Sequence, residues 1–368
     1  MIYIVCFIAS AALLNLHLKA NNKITKCILF TLAIAFPVLL ATVRSVDVGI
    51  DSSVYIRPYA SMAENSTSFF TYFVLMIANS VEPGYILVNY IAAKLWNGVP
   101  GVFAITQLLT IVPVYLRFSD FREKAPVWVM SLIYLLMFYN MSLNLTRQAI
   151  AMAIIFYAYR HIEDKQYLKF VIWVCIAATF HYSAVMALFF LVIEYVVKGN
   201  ANAKAVKTML ILGALALAII FYNQIFEVVI KVIFSTSSEK YTNAFLSNET
   251  GYLSYWNILF KILTILAVWL NHNSFRRDGV YNRYFLITVF DLILYLLTIY
   301  NGNNFRFSLY FNLFTPVVVP QVRTKFTKGT RFAVDILVVV IYLFYWYNFN
   351  VLSYGHGTMP YDLNPDLF

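Results

Sequence analysis

"MIYIVCFIASAALLNLHLKA", residues 1–20, has no charged side chain before Lys19. An apolar run of about 17–25 residues is what a helix needs to cross the hydrocarbon core of a bilayer. Positive charge follows the run, at Lys19, Lys23 and Lys26. A cleaved secretory leader carries its charge ahead of its apolar stretch. The segment therefore reads as an uncleaved first membrane span with its N-terminus outside.

The rest of the chain repeats this pattern. Of the 368 residues, 61% are hydrophobic and 12% charged, and mean hydropathy is +0.72. Soluble domains carry about 25% charged residues. The expected fold is all-α: a polytopic integral membrane protein forming one transmembrane domain over 1–368. A transmembrane β-barrel would show short alternating segments instead. The apolar runs place about twelve spans, at 2–18, 27–43, 101–117, 126–143, 145–160, 168–180, 183–197, 207–222, 255–271, 283–299, 305–322 and 332–350. Residues 68–97 are also apolar but are interrupted by "NSVEPG", and read as interfacial or re-entrant helices. Loops 44–100 and 223–254 then lie on the outer face.

Charge tests this order. Five proposed inner loops hold three basic residues each, and the sixth holds Arg323, Lys325, Lys328 and Arg331. Alternate loops are basic without a break, as the positive-inside rule requires, and both termini fall outside. That accounts for the net charge of +10 without nucleic acid as a partner. Cys6, Cys27 and Cys175 fall in apolar segments, where they read as packed small hydrophobes and not as a disulfide framework.

The same order puts the polar clusters on one face. In "RSVDVGIDSSVY" (44–55), Arg44 stands at a helix exit, Asp47 and Asp51 flank Gly49, and Tyr55 closes the block. It reads either as a solvated turn or as an acid and base beside a substrate. In "VEPGY" (81–85), Glu82 precedes a Pro-Gly turn between apolar segments. In "LNLTRQAIA" (143–151), Asn144, Arg147, Gln148 and Ala151 are spaced i, i+3, i+4, i+7, one face of a helix. A lipid-headgroup anchor needs only the arginine, so the alignment favours an inward polar stripe. His181, in "FHYSA" (180–184), sits at a tight connection with Ser183 nearby. It is either a hydrogen-bonded structural residue or a proton carrier. No second His or Cys stands at metal-ligand spacing, so no metal is expected. Arg306 and Tyr310 repeat the pattern of Arg147 at the start of the eleventh span. Three arginines at one depth offer planar forks suited to phosphate oxygens, and together would hold a diphosphate. Asp291, near the middle of the tenth span, is either hydrogen-bonded structurally or functional. No phosphate-binding loop, dinucleotide fingerprint, nucleophile elbow or zincin motif is present.

In this order, "R…DVGIDSSVY", "EPGY", "NLTRQAIAMAI", "FHYSA" and a late "R…Y" resemble the EpsG/Wzy-type family of bacterial polysaccharide polymerases. The resemblance runs from about Arg44 to Arg306 and on towards "MPYD"; residues 200–300 contribute no motif. It implies polymerisation of undecaprenyl-diphosphate-linked oligosaccharide repeats at the outer face of the bacterial inner membrane. The growing chain passes from its lipid diphosphate to a hydroxyl of the next unit. The diphosphate bond is the energy source, so neither nucleotide sugar nor other cofactor is expected. Implied partners are the lipid-linked oligosaccharide, membrane lipids, a chain-length regulator and a flippase. On this reading Arg147 and Arg306, with Arg44 second, bind the diphosphate. Asn144, Gln148, Tyr55 and Tyr310 line the substrate. Asp51, Asp47, Glu82 or His181 activates the hydroxyl, with Asp51 favoured. The rival readings are an O-antigen ligase, which usually carries a larger outer loop, and a flippase or transporter for lipid-linked oligosaccharides, which would carry internal repeats and charges along a central path. An acyltransferase is disfavoured because His181 has no evident acyl-transfer partner motif.

Overall fold

In a computed structural model, residues 1–96, 98–198, 207 and 251–365 are described. They are predominantly helical: α1 (Ile2–Lys19), α2 (Lys23–Thr42), α3 (Arg57–Asn65), α4 (Phe69–Ala78), α5 (Pro83–Leu95) and α6 (Val99–Asp120) are followed by α7 (Val127–Asn144) and α8 (Thr146–Ala158). Then come α9 (Tyr167–Ala178), α10 (Tyr182–Val197), α11 (Tyr255–Leu270) and α12 (Tyr281–Ile299), α13 (Phe305–Asn312) and α14 (Arg331–Leu352). Among the described residues the extended pairing is a single bridge, Arg44 with Leu363.

Six of these helices, α1, α2, α6, α7, α12 and α14, are long and apolar enough to cross a membrane. Others are shorter. Thirteen-residue α8 is about 20 Å long, against a hydrocarbon core of about 30 Å. The run 305–322, expected as one span, is broken into Phe305–Asn312, Thr315–Val318 and Val319–Lys325. Pro316 and Pro320 explain this, since each removes a backbone donor and clashes with the preceding turn. The expected span 207–222 and the outer loop 223–254 lie outside the described residues, apart from Lys207 and 251–254. The 68–97 region forms two helices, α4 and α5, of 10 and 13 residues, neither long enough to span.

α7 and α8 are the buried centre, with a hydrophobic stripe of α1 (Tyr3, Phe7, Ala11, Leu14) in the same core. One polar link shows how tightly α1, α2 and α6 are joined. Pro37 lies inside α2 and cannot donate to the Ala33 carbonyl one turn back. The Ser10 hydroxyl of α1 donates to that carbonyl at 2.5 Å and shares a 2.6 Å hydrogen bond with Tyr115 of α6. Cys27 and Cys175 are free and exposed, on outward faces and not packed as expected.

The two ends of the bundle differ in composition. At one, the loops expected to be cytoplasmic meet through ion pairs: Arg117 with Asp120 and Glu163, Lys124 with Asp278, Arg283 with Glu194, and Arg323 with Asp335. At the other, Tyr3 donates to the Thr358 carbonyl at 3.0 Å, Gly49 N–H to Gly357 O at 2.8 Å and Ser45 N–H to Asp362 O at 2.8 Å. The C-terminal segment thus straps the 44–51 loop down beside the start of α1.

Candidate functional site

The site is built on the break between the two central helices. Leu145 (φ −82°, ψ 51°) interrupts the chain between α7 and α8, leaving Asn144 at the end of one and Arg147 in the first turn of the other. The break aims three side chains. Asn144 Oδ1 accepts from the Asp51 N–H at 2.8 Å and so fixes the loop that presents Asp51. Gln148 Nε2 donates to the Arg306 carbonyl at 2.6 Å, which sets the start of α13. The Gln148 Oε1 is buried with no hydrogen-bond partner among the described residues. Arg147 Nη1 donates to Glu82 Oε2 at 2.5 Å.

Glu82 is wholly buried, and the turn between α4 and α5 carries it inward. Each residue of "EPGY" has a local reason. Pro83 occupies the first turn of α5, where a missing donor costs nothing. Gly84 N–H donates to Thr179 O at 2.7 Å, and a Cβ at Gly84 would come within 2.7 Å of Thr179 Oγ1 and 2.9 Å of Thr179 O. Tyr85 turns its ring to the Arg147 guanidinium, 5.7 Å away. Locking α5 against the end of α9 brings Glu82 to His181, whose Nδ1 lies 2.9 Å from Glu82 Oε1. Both carboxylate oxygens are thus engaged. Burial raises the Glu82 carboxyl, but Arg147 and the His181 hydrogen bond more than offset it and hold it at about 2. Burial, with the charges of Arg147 and Arg306, pushes the His181 imidazole down against the pull of Glu82.

These groups border a cleft of about 380 Å³ lined by Asp51, Tyr55, Tyr85, Asn144, Arg147, Gln148, His181 and Arg306. Five separate stretches of chain converge there. Burial raises the Asp51 carboxyl in spite of Arg306 and Arg147. Two guanidinium groups beside a carboxylate of raised basicity can bind an anionic leaving group and take a proton from a nucleophile.

Not every expected site residue joins them. Arg44 does not line this cleft. Its guanidinium is buried, donating to the carbonyls of Val48 and, at 3.0 Å, Leu143, and lies 3.8 Å from the Phe103 ring centroid. It holds the loop whose Gly49, at φ 99°, has the left-handed backbone that favours glycine. Asp47 faces a separate groove with Arg57 and Pro365. Tyr310 is buried, its hydroxyl 2.9 Å from Ser183 Oγ, joining α13 to α10. Glu82 stands behind the cleft and holds the Arg147 and His181 side chains that border it.

One buried pair was not anticipated. Lys261 of α11 donates to Asp291 Oδ1 at 2.5 Å. The available signal was that Lys261 is the single charge within the apolar run 255–270.

A family model described as the EpsG family matches residues 27–363, and the chain belongs to that family. No curated protein matches it, and no solved structure matches.

Proposed function

We propose that this EpsG-family protein polymerises undecaprenyl-diphosphate-linked oligosaccharide repeat units at the outer face of the bacterial inner membrane. What carries the reading is the convergence of Arg147 and Arg306 with Asp51 on one open cleft. It lies at the end of the bundle away from the basic loops, and the positive-inside rule puts that end, with both described termini, outside.

In the proposed step, Arg147 and Arg306 hold the lipid diphosphate of the donor. An acceptor sugar hydroxyl attacks the anomeric carbon of the growing chain. The new C–O bond forms as the bond from that carbon to the diphosphate oxygen breaks. Asp51 takes the hydroxyl proton, and undecaprenyl diphosphate leaves. Charge grows on the leaving diphosphate in the transition state, where fixed guanidinium donors stabilise it most. Glu82 is a positioning residue. A carboxylate held at about 2 with both oxygens engaged is a weak base, but it sets the angle of Arg147 and His181. His181 is the second base candidate, since it borders the same cleft.

Replacing Arg147 by Ala, with expression confirmed, is expected to abolish polymer while single lipid-linked units persist. Polymer of normal length in that variant would sink the assignment. A surface glycan lost altogether points to a flippase, and polymer accumulating on the carrier lipid to a ligase.

A further inference from the structure

A second cavity of about 490 Å³ opens beside α13. Arg306 of that helix borders the first cleft, whereas Ser308 and Asn312 border the second. Its polar wall is held in place before any ligand arrives. The Tyr345 hydroxyl donates to Asn257 Oδ1 at 2.9 Å, and Asn257 Nδ2 donates to the Tyr295 hydroxyl at 3.1 Å. Lys261 is paired with Asp291 at 2.5 Å and lies 3.5 Å from Ser308 Oγ. Phe349, which also lines the cavity, stacks nearly parallel on Tyr345, ring centroids 6.0 Å apart.

The two cavities therefore suit different chemistry. The first gathers two arginines, which fits an anion. Among the described residues lining the second, Lys261 is the one basic side chain besides His356, and it is paired with Asp291. What this cavity offers is amide and hydroxyl groups beside aromatic faces, the combination that recognises an uncharged polyhydroxyl ring by hydrogen bonds and by stacking on its C–H face. A lipid tail would leave unused the hydrogen-bonding capacity these amide and hydroxyl groups keep beyond their mutual bonds. A buried ion pair is itself weak evidence for stability, and polar groups at membrane depth mark functional sites by default.

We propose that the cavity walled by Asn257, Lys261, Tyr295, Asn312 and Tyr345 is a saccharide subsite that holds an uncharged sugar of the glycan. The choice of a glycan as ligand rests on the polymerase reading.

The test uses the full chain in nanodiscs and, as probe, short oligosaccharides cut from the producing cell's own surface polysaccharide by partial acid hydrolysis. Saturation-transfer NMR reports their binding. Transfer to sugar protons is expected in the unmodified protein and in Arg147→Ala. It should fall at least fivefold in Asn312→Trp, which fills the cavity, and in Asn257→Leu, which removes its amide. Monodispersity and thermal unfolding check that each variant folds; if Asn312→Trp does not, Asn257→Leu decides. Unchanged transfer in the folded cavity variants, transfer lost only in Arg147→Ala, or no transfer in the unmodified protein would each overturn the subsite. The polymerase reading stands or falls separately, on polymer length in Arg147→Ala cells.

Discussion

Arg117 and Arg147 are both held by carboxylates near the ends of central helices, yet they are set for opposite ends. Arg117 reaches Asp120 at 2.7 Å and Glu163 at 2.5 Å, and only 2% of its side chain is exposed. Arg160 completes the cluster at 3.2 Å from Asp120. The charges there enclose one another, and the result is a staple between loops. Arg147 reaches Glu82 at 2.5 Å but keeps 22% of its side chain exposed while the acid is wholly buried. Glu82 acts as a pivot behind the arginine and leaves it facing a cleft. An arginine–carboxylate pair thus says little by type; which partner is buried decides whether the pair closes a surface or aims a cation at one.

The sharpest way to break this contrast is to neutralise one acid at each end. Glu82→Gln removes a buried charge from between Arg147 and His181. Breaking a buried pair costs about 3–5 kcal/mol, so thermal unfolding of the purified protein should drop markedly and polymer should be lost. Glu163→Gln removes one of two acids from a guanidinium that is only 2% exposed, so it too should lower thermal stability, but with Asp120 still holding the arginine it should leave polymer length unchanged. If Glu163→Gln removes polymer as completely as Glu82→Gln, the two ends are not functionally distinct.

A smaller effect separates Arg306 from a structural arginine. Arg306→Ala should abolish polymer with thermal stability shifted by no more than about 1 kcal/mol, the size of an ordinary hydrogen-bond loss. Arg306→Lys should restore part of it, because a point charge supports a diphosphate without the planar fork. Arg117→Ala should do the reverse, lowering stability while each folded molecule still polymerises.

The pH profile sharpens the choice of base. Burial lifts Asp51 above its ordinary 3.8, so a rate that needs its ionised form is lost on the acid side at a higher pH than an ordinary carboxylate would give. His181 is pushed below its ordinary 6.5 and is neutral at pH 7. In a reconstituted assay, His181→Gln should lower the rate but leave the acid limb where it was. An acid limb that vanishes in His181→Gln moves the proton transfer to His181.

How much of this was readable from the residues alone differs between fold and site. The α1, α2, α6 and α7 spans follow from apolar runs bounded by charge, because the bilayer imposes length and composition locally. The break after Asn312 was also local, in Pro316 and Pro320, but a hydropathy window averages across prolines. The chemistry of the cleft was legible as residue types sharing one face: Asp51, Arg147, His181 and Arg306. Arg44 looked equivalent to Arg147 because both stand at an outer helix end. They differ in what packs opposite, the Val48 and Leu143 carbonyls and the Phe103 ring for Arg44. Helix packing decides that, and no spacing within one segment records it. Glu82 was visible as an acid before a Pro-Gly turn; its burial depends on Gly84 meeting Thr179, nearly a hundred residues on.

The smallest expected effect concerns Tyr310, which resembles a substrate-lining residue in sequence but meets Ser183 in the fold. Its hydroxyl is buried and 2.9 Å from Ser183 Oγ, and it is not among the residues bordering the arginine cleft. Tyr310→Phe keeps the ring and its packing and removes one hydrogen bond, a loss of about 1 kcal/mol. Thermal unfolding should shift by a few degrees, and Ser183→Ala should match it because each change breaks the same bond. Combining the two should cost little more than either alone, since coupled partners are not additive. Polymer length should be unchanged in all three. If Tyr310→Phe removes polymer at unchanged stability while Ser183→Ala does not, the hydroxyl serves the substrate, and the boundary of the cleft extends down α13 towards the second cavity.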